Sequence, residues 1–573
     1  MSVTRRSFLQ TAAATGTAAL ASGVAPSAAL AASVDSRATG KPTVIACDTE
    51  NIVETAYGKV RGSERNGIHV FLGIPYGADT SGANRFMPAK APTPWPGVRS
   101  TLQYGSTAPT SWTPSAGDES RFVYENDLGF MSENCLVANV WTQGINDNKK
   151  RPVLVWMHGG GFFHGSCQEL KAYDGEMLSR SGDVVLVSFN HRLNTFGFLN
   201  LGEFGPEYAN SGNVGIMDIV FLLEWVRENI SNFGGDPGNV TIMGQSGGGA
   251  KVGTLMVMPS AKGLFHKASI HSGTHLRVIE REESLRMAQA TLAQLDVNKK
   301  NLDMLHTISW HKLIGAWQEM QRRGNAITWS AYVDGNIIPS QPWDPSAPEI
   351  SADVPLMVGT VLNETFGGAD KPDCFSMTEK EMMKDLSTYF GARTREILEV
   401  YREGHPKANP FQLSTIIKAG GSQRAPAMIQ AQRKAALGKA PVYNWWLQWQ
   451  TPILSGRAMA FHCSDLSFFF NNAERCAQAT GNGPEAQLLA SQMSQAWIHF
   501  ARTGNPNHKG IPNWVPVNVG GSQTMIFDTN THFSEDPDSA ERKLVCCVSP
   551  SSFEKPDASI TKDAINSIQE TIS

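Results

Sequence analysis

An apolar segment, Val240 to Met243, leads directly into the glycine-rich sequence Gly244 to Gly248 (GQSGG), and a glycine-rich and then apolar stretch follows. This order predicts a buried strand, a sharp turn at Ser246 and a helix. The turn forces Ser246 into a strained conformation, and the flanking glycines are needed because a Cβ at either position would clash across it. Taken alone, the GxSxG pattern also fits an ordinary strand-to-helix turn.

Short apolar segments alternate with helical stretches along the chain, which predicts an α/β fold. The predicted strands include Phe71 to Tyr76, Val153 to Met157 and Val184 to Ser188, and a predicted helix runs from Ile216 to Ile230. The alternation is typical of a central, mostly parallel sheet flanked by helices. Residues 279–323 and 379–436 are rich in helix formers at helical spacing, so we expect them to form inserted helical blocks.

The composition excludes several classes of protein. The chain has 573 residues, of which 41% are hydrophobic, so it can bury a large core. Its 53 acidic and 49 basic residues give a net charge of −4, without the basic clusters that a nucleic-acid surface requires. The 8 cysteines lack the paired CxxC spacing of a zinc site, and they predict no particular disulfide. We expect neither a metal nor an organic cofactor.

The amino terminus is predicted to be an export signal. Thr4 to Gln10 (TRRSFLQ) opens an alanine-rich, uncharged stretch that ends at Ala31, and this pattern resembles a twin-arginine signal. A transmembrane anchor fits less well because Gly16 and Pro26 interrupt the stretch, and no later apolar run is long enough to span a bilayer. We therefore expect a periplasmic or extracellular (secreted) protein with no stable membrane anchor.

A second glycine-rich turn follows the strand that ends at Met157. His158 to Phe162 (HGGGF) matches the element that lines an oxyanion hole, since consecutive glycines let backbone N–H groups point at one spot. Each such donor contributes about 10² to 10³ in rate to acyl transfer. The lysine and serine or threonine that a phosphate-binding loop requires do not follow it. The two glycine-rich turns together predict a hydrolase with a serine nucleophile.

A serine nucleophile needs a base, and the base needs an acid, in the order acid and then histidine along the chain. Glu364 follows an apolar strand, Val354 to Gly359, and His462 follows another around Tyr443 to Trp446. The pattern does not separate Glu364 from an exposed loop glutamate. Composition also leaves four other histidines open as the base: His405, His499, His508 and His532.

The chain resembles the type-B carboxylesterase/lipase family, which includes bacterial para-nitrobenzyl esterases and cholinesterases. The resemblance spans about Thr55 to Asp528. Its motifs are Gly58 to Gly62, Phe71 to Tyr76, Arg85-Phe86 with Pro88 and Trp95, Ser132 to Leu136, Asn139 to Trp141, Asn190 to Leu193, Gly212 to Gly215 with Asp218, Phe233 to Pro237 and Trp497 to Pro506.

This resemblance implies an α/β-hydrolase fold and assigns roles to particular residues. It implies Ser246 as nucleophile, Glu364 as acid and His462 as base, and it implies oxyanion N–H groups from Gly160, Gly161 and Gly247. Ser272 resembles a serine that supports the triad, although a plain loop serine fits there too. The implied organisation is a signal over 1–31, a linker over 32–50, a carboxylesterase domain over 51–548 and a polar tail over 549–573.

The chain departs from the family pattern at several positions near the implied site. Gln245 and Gly247 stand where the family usually has Glu and Ala, so the charge expected to favour a cationic substrate is missing, and Gln245 is expected only to support the site. Cys463 replaces a Gly after the base, and Asp465 stands where Glu is common. The cysteine that would pair with Cys135 is absent, which implies that this family disulfide is missing.

We therefore expect an exported serine carboxylesterase that acts on a small-molecule ester. Two alternatives remain at this point: hydrolysis of another acyl bond (amide, carbamate, lactone or polyester), and a non-catalytic binding member of the fold. Several phenylalanines lie near the motifs in sequence, and core packing is the simpler interpretation of each. They are Phe162, Phe163, Phe366, Phe461 and Phe468.

Overall fold

The computed structural model describes residues 43–110, 117–324 and 328–545. The predicted export signal (1–31) and polar tail (549–573) lie outside these ranges, as does most of the predicted linker (32–50). The architecture below is that of the unit that begins at Val44.

A twelve-stranded mixed sheet forms the centre of the described chain, in the order β1-β4-β5-β7-β9-β8-β10-β11-β12-β13-β14-β15, beside a small sheet β2-β3-β6. The strands are β1 (Val44–Ile45), β2 (Ile52–Thr55), β3 (Gly58–Arg61), β4 (Ser63–Arg65), β5 (Ile68–Pro75), β6 (Val98–Ser100), β7 (Val137–Thr142), β8 (Arg151–Met157), β9 (Val185–Phe189), β10 (Gly235–Gln245), β11 (Lys267–His271), β12 (Leu356–Val361), β13 (Val442–Leu447), β14 (Thr524–Phe527) and β15 (His532–Ser534). The seven strands from β9 to β14 in this order pair in parallel, and the pairs toward both edges are antiparallel. The predicted mostly parallel sheet is confirmed.

The helices flank this sheet. They are α1 (Asp118–Tyr124), α2 (Glu176–Gly182), α3 (Asn194–Phe198), α4 (Val214–Asn229), α5 (Gly247–Leu255), α6 (Arg281–Gln294), α7 (Met304–Thr307), α8 (Trp310–Arg322), α9 (Glu379–Phe390), α10 (Thr394–Gly404), α11 (Pro410–Ala419), α12 (Ala425–Ala436), α13 (Leu466–Phe469), α14 (Ala477–Thr480), α15 (Pro484–Thr503) and α16 (Ser539–Val545). The predicted helix from Ile216 is α4, and the two predicted helical blocks contain α6 to α8 and α9 to α12.

The central strands are apolar throughout because both faces of the sheet are covered. Every residue of β8 is buried, and its side chains alternate between two hydrophobic cores. Val153, Val155 and Met157 belong to one core, whereas Leu154 and Trp156 belong to the other. This alternation is the period of two expected for a strand, applied to a sheet with a core on each side.

Parallel pairing decides where the functional side chains meet. Because the carboxyl ends of parallel strands lie at one edge of a sheet, the turns after β8, β10, β11 and β12 emerge at that edge. The HGGG turn follows β8, and Ser246 follows β10. Glu364 comes three residues after the end of β12. The fold therefore gathers residues that are far apart in the sequence.

Two features have no candidate within the described ranges. None of the helices there is long and apolar enough to cross a bilayer. No group of three or more His, Cys, Asp and Glu side chains in the same ranges is arranged to hold a metal ion.

Candidate active site

Ser246 occupies the turn between β10 and α5 in the strained conformation that the sequence predicts. Its φ of 56° and ψ of −125° are unfavourable for a residue with a side chain. The Ser246 N–H donates to the His271 carbonyl at 2.8 Å, which ties the turn to the end of β11. A Cβ on Gly244 would overlap the backbone of Gly248, and a Cβ on Gly248 would overlap the Met157 carbonyl oxygen. The turn thus requires glycine at both positions.

The HGGG turn packs directly against this serine. Gly160 and Gly161 have φ values of 79° and 61°, which glycine adopts without strain. A Cβ built on Gly159 would lie 3.4 Å from the Ser246 Cβ. A Cβ on Gly247 would overlap the backbone nitrogen of Gly161, so the two chain segments approach as closely as glycine allows. The three predicted oxyanion glycines are therefore neighbours in space.

Glu364 and His462 are joined by a short hydrogen bond. The Glu364 Oε2 atom lies 2.5 Å from the His462 Nδ1 atom, and the Glu364 side chain is only 3% exposed. The Val361 N–H donates to the other carboxylate oxygen at 3.0 Å, which fixes the orientation of the carboxylate. When Nδ1 donates to the carboxylate, Nε2 is left as the acceptor. This is the tautomer that a general base requires.

The Gln245 side chain contacts the same imidazole. Its amide nitrogen lies 3.1 Å from His462 Nε2 and 3.4 Å from His462 Nδ1, and the residue is fully buried. Because Nδ1 donates to Glu364, the amide N–H can donate only to Nε2. Gln245, predicted as a supporting residue, thus lies against the ring of the candidate base.

The four other histidines considered as the base make different contacts. His405 Nε2 lies 3.5 Å from a Glu541 oxygen. His508 Nε2 lies 3.0 Å from the Gln492 carbonyl, and its ring lies beside that of His499. His532 Nδ1 lies 3.0 Å from the Asn530 carbonyl. Of the five candidate histidines, His462 is the one bonded to Glu364.

Aromatic side chains surround the base, and one of them corrects an expectation. The Phe366 ring lies 5.6 Å from the His462 ring and is 39% exposed, so core packing is the wrong interpretation for this residue. Tyr124 on α1 packs against both Phe366 and Phe461, and its hydroxyl donates to the His462 carbonyl. Sequence reasoning missed Tyr124, which precedes His462 by 338 residues and has no motif of its own.

The remaining predicted residues support the site to different degrees. Asp465 accepts a 2.7 Å hydrogen bond from His271 Nδ1, which links the loop of His462 to the end of β11, where the His271 carbonyl accepts from the Ser246 N–H. Ser272 has a φ of 42° and donates its N–H to the Gly359 carbonyl. Its buried hydroxyl has no partner within the described ranges. Burial and the Asp465 charge raise the pKa of Cys463 well above its usual value, so Cys463 remains a thiol.

Comparison with known proteins gives consistent matches over most of the chain. A sequence model described as "Carboxylesterase family" matches residues 49–544. The para-nitrobenzyl esterase of Bacillus subtilis is 34% identical, covering 86% of this chain and 98% of that protein. The phenmedipham hydrolase of Pseudarthrobacter oxydans is 30% identical, covering 83% of this chain and 95% of that protein.

Solved structures agree with the sequence matches. An esterase from Clostridium hathewayi that can hydrolyse aliphatic aromatic polyesters has a TM-score of 0.75 and 34% identity, covering 88% of this chain and 99% of the other. A carboxylesterase from Geobacillus stearothermophilus has a TM-score of 0.74 and 33% identity, covering 86% of this chain and all of the other. Each of these is an enzyme that this chain is similar to.

Proposed function

Because the chain belongs to the carboxylesterase family and is similar to esterases over most of its length, we propose that it is an exported serine esterase with a Ser246-His462-Glu364 triad. The observation that carries the triad is the 2.5 Å bond between His462 Nδ1 and Glu364, in a site where Ser246 occupies a strained strand-to-helix turn. This bond fixes the imidazole in the tautomer whose Nε2 can accept a proton from a nucleophile.

The proposed reaction proceeds through an acyl-enzyme. His462 Nε2 takes the hydroxyl proton as Ser246 Oγ bonds to the ester carbonyl carbon, and the carbonyl oxygen becomes an oxyanion. The N–H groups of Gly160, Gly161 and Gly247 hold this oxyanion. The C–O bond to the alcohol then breaks, and the alcohol leaves with the proton from His462. Water, activated by the same histidine, attacks the acyl carbon and releases the acid and free Ser246.

Gln245 is a supporting residue in this proposal and takes no part in the proton transfer. Its Nε2 atom lies 3.1 Å from His462 Nε2 and 3.4 Å from His462 Nδ1, so the amide lies against the ring and not in line with one nitrogen. The proposed catalytic arrangement needs the Nε2 lone pair to accept the Ser246 proton.

The triad can be tested with p-nitrophenyl acetate, butyrate and octanoate and the mature protein. Ser246→Ala and His462→Ala are expected to abolish turnover while leaving the folded structure intact. Ser494→Ala, at a buried serine of α15, serves as the matched control and is expected to keep activity. A fluorophosphonate probe is expected to label the wild type and not Ser246→Ala. Activity in Ser246→Ala equal to the wild type would refute the assignment.

Export by the twin-arginine route is a separate part of the proposal. It rests on the sequence Thr4 to Gln10 and the uncharged stretch that follows it. Replacing Arg5 and Arg6 together by lysine is expected to retain the protein in the cytoplasm of a host with a twin-arginine translocase. The control replaces two lysines of an exposed loop, Lys149 and Lys150, by arginine. This double variant is expected to be exported as the wild type is. Export of the Arg5 and Arg6 variant at the control level would contradict this part.

A polymeric ester is the second candidate substrate. Phe366 at the base is 39% exposed, and Phe122, two residues before Tyr124 on α1, is 52% exposed. Phe366, beside the proposed base, suits contact with an apolar surface, and Phe122 offers a second exposed aromatic contact on α1. Phe122→Ser is expected to slow hydrolysis of an aliphatic aromatic polyester film while leaving soluble p-nitrophenyl butyrate turnover unchanged.

A panel of matched amides, carbamates and lactones separates esters from the other acyl bonds.

A further inference from the structure

A buried lysine lies behind the predicted oxyanion hole. Lys251 is on α5, the helix that begins directly after Ser246, and its side chain is fully buried. Its Nζ atom donates to the His158 carbonyl at 3.2 Å. His158 is the first residue of the HGGG turn. Burial of an ammonium group opposes folding, so its presence at this position needs an explanation.

Lys251 contacts the HGGG turn at both of its ends. Besides the bond to the His158 carbonyl, Nζ lies 5.9 Å from the centre of the Phe162 ring, which is a cation–π distance. The glycines that carry the expected oxyanion donors lie between these two contacts. Ser246 directly precedes the N-terminus of α5. Lys251, in the second helical turn of α5, binds the HGGG turn that lies against Ser246. One helix therefore sets the relative position of the two.

Charged and titratable groups around Lys251 come from the segments packed against α5. Glu169 faces it from the segment after the HGGG turn, with Tyr173 OH 3.4 Å from the carboxylate. His158 faces it from the turn itself, His164 from just after the turn, and His191 from the segment after β9. Burial lowers the pKa of Lys251 to about 7, and the charge of Glu169 opposes this shift. Burial raises the pKa of Glu169, and the Lys251 charge opposes that shift in turn.

We propose that Lys251 is a positioning residue for the oxyanion hole, which holds the His158 carbonyl and thereby aims the Gly160 and Gly161 N–H groups. The inference rests on the proposed acyl-transfer function. The ammonium also places a positive charge behind the turn, where the oxyanion develops in front of it. Both effects are larger in the transition state than in the ground state, so they act on kcat rather than on KM.

Lys434 provides a matched comparison within the same chain. It is also a buried lysine whose Nζ donates to backbone carbonyls, those of Ser351 and Ala352, at 2.5 and 2.9 Å. Burial lowers its pKa to about 8. Its carbonyl partners belong to the segment before β12 and not to either glycine-rich turn. Lys434 thus has the chemistry of Lys251 without its location.

The test compares Lys251→Met with Lys434→Met in the full mature enzyme. Lys251→Met is expected to lower kcat about 10- to 100-fold with KM changed less than about threefold, and to weaken an alkyl trifluoromethyl ketone in parallel with kcat/KM. This inhibitor binds Ser246 as a tetrahedral oxyanion. The urea midpoint is measured in parallel, because the replacement removes a buried ammonium but also takes the counter-charge from Glu169. Lys434→Met is expected to keep kcat and the inhibitor affinity.

The pH profile gives a second readout that a purely structural role would not move. The wild type is expected to lose part of kcat/KM as pH rises through the pKa of Lys251, and Lys251→Met is expected to lack this alkaline limb. Glu169→Gln removes a charge that raises the pKa of Lys251, so its alkaline limb is expected at lower pH. Unchanged kcat in Lys251→Met, or a loss of kcat explained by a lower urea midpoint, would overturn the proposal. Failure of the triad itself is distinguishable, since Ser246→Ala would then remain active.

Discussion

The side-chain amide of Gln245 donates to the Nε2 atom of His462 across 3.1 Å, while Glu364 holds the Nδ1 atom of the same ring at 2.5 Å. The same amide nitrogen lies 3.4 Å from Nδ1, so it packs against the ring. The residue that immediately precedes the proposed nucleophile therefore contacts the proposed base directly.

This contact can be tested by adding a charge at position 245. Gln245→Glu places a carboxylate beside the imidazole, which favours its protonated form. The acid limb of the kcat/KM profile is expected to move to higher pH by about one unit or more. Gln245→Met, which removes the amide without adding charge, is the control and is expected to leave the limb in place. Equal profiles for Gln245→Glu and the wild type would contradict the contact.

Glu364→Gln tests the orientation of the base. The amide that replaces the carboxylate can donate to Nδ1, which puts the ring proton on Nε2 and leaves no acceptor for the serine proton. We expect kcat to fall about 10³- to 10⁴-fold, by the precedent of other serine hydrolases. Stopped-flow acylation with p-nitrophenyl butyrate measures the step directly. Glu349→Gln, at an exposed glutamate, is the control, and a loss below tenfold for Glu364→Gln would argue against the triad acid.

The close approach of Gly247 to Gly161 predicts an unusual effect of a small substitution. Gly247→Ala introduces the residue that is usual in the family, but its Cβ would overlap the Gly161 nitrogen in this chain. Displacement of one oxyanion donor is expected to lower kcat about 10²-fold. Gly315→Ala on α8 has open space around the new Cβ and is the control for a glycine replacement. Full activity in Gly247→Ala would mean that the turns separate readily.

Two buried histidines predict how stability depends on pH. His158 and His191 stack at 5.3 Å, and burial lowers the pKa of each well below 6.5. Between these folded values and 6.5 the unfolded chain binds protons that the folded chain does not. The free energy of unfolding is therefore expected to fall below pH 6.5 by about 1.4 kcal/mol per pH unit for each histidine. Urea titrations at several pH values measure this slope, and His191→Gln is expected to reduce it by half of that pair's contribution.

The two glycine-rich turns could be predicted from the sequence because the information is local. At Ser246 a strand, a turn and a helix follow one another directly, and at His158 a strand leads directly into the glycine-rich turn, so both patterns stand in consecutive letters. The parallel sheet was predictable for the same reason, since each central strand is a short apolar segment. β5 contains most of the predicted Phe71 to Tyr76 strand, and it pairs in the antiparallel direction. This direction could not be predicted, because it depends on partners that are distant in the sequence.

The parts of the site that come from distant segments were less accessible. Glu364 and His462 were candidates by chain order, and the resemblance to a family was needed to choose His462 among five histidines. Tyr124 carries no pattern, since its role arises from the placement of α1 beside the His462 loop. In the sequence Lys251 is an ordinary polar residue of a predicted helix. Its proposed role could be inferred only from the fold, which buries it beneath the HGGG turn.

The backbone conformation at this edge of the sheet predicts how the enzyme loses activity on heating. Ser246, Glu364 and Cys463 all have positive φ values, of 56°, 49° and 76°, and each such conformation costs about 1 to 3 kcal/mol. The surrounding packing holds these residues in place, so a modest loosening lets them relax before the sheet itself melts. Turnover should therefore disappear at a lower temperature than the helical circular dichroism signal. Substitutions that stabilise the folded protein far from this edge should lengthen the half-life of activity at high temperature without changing kcat.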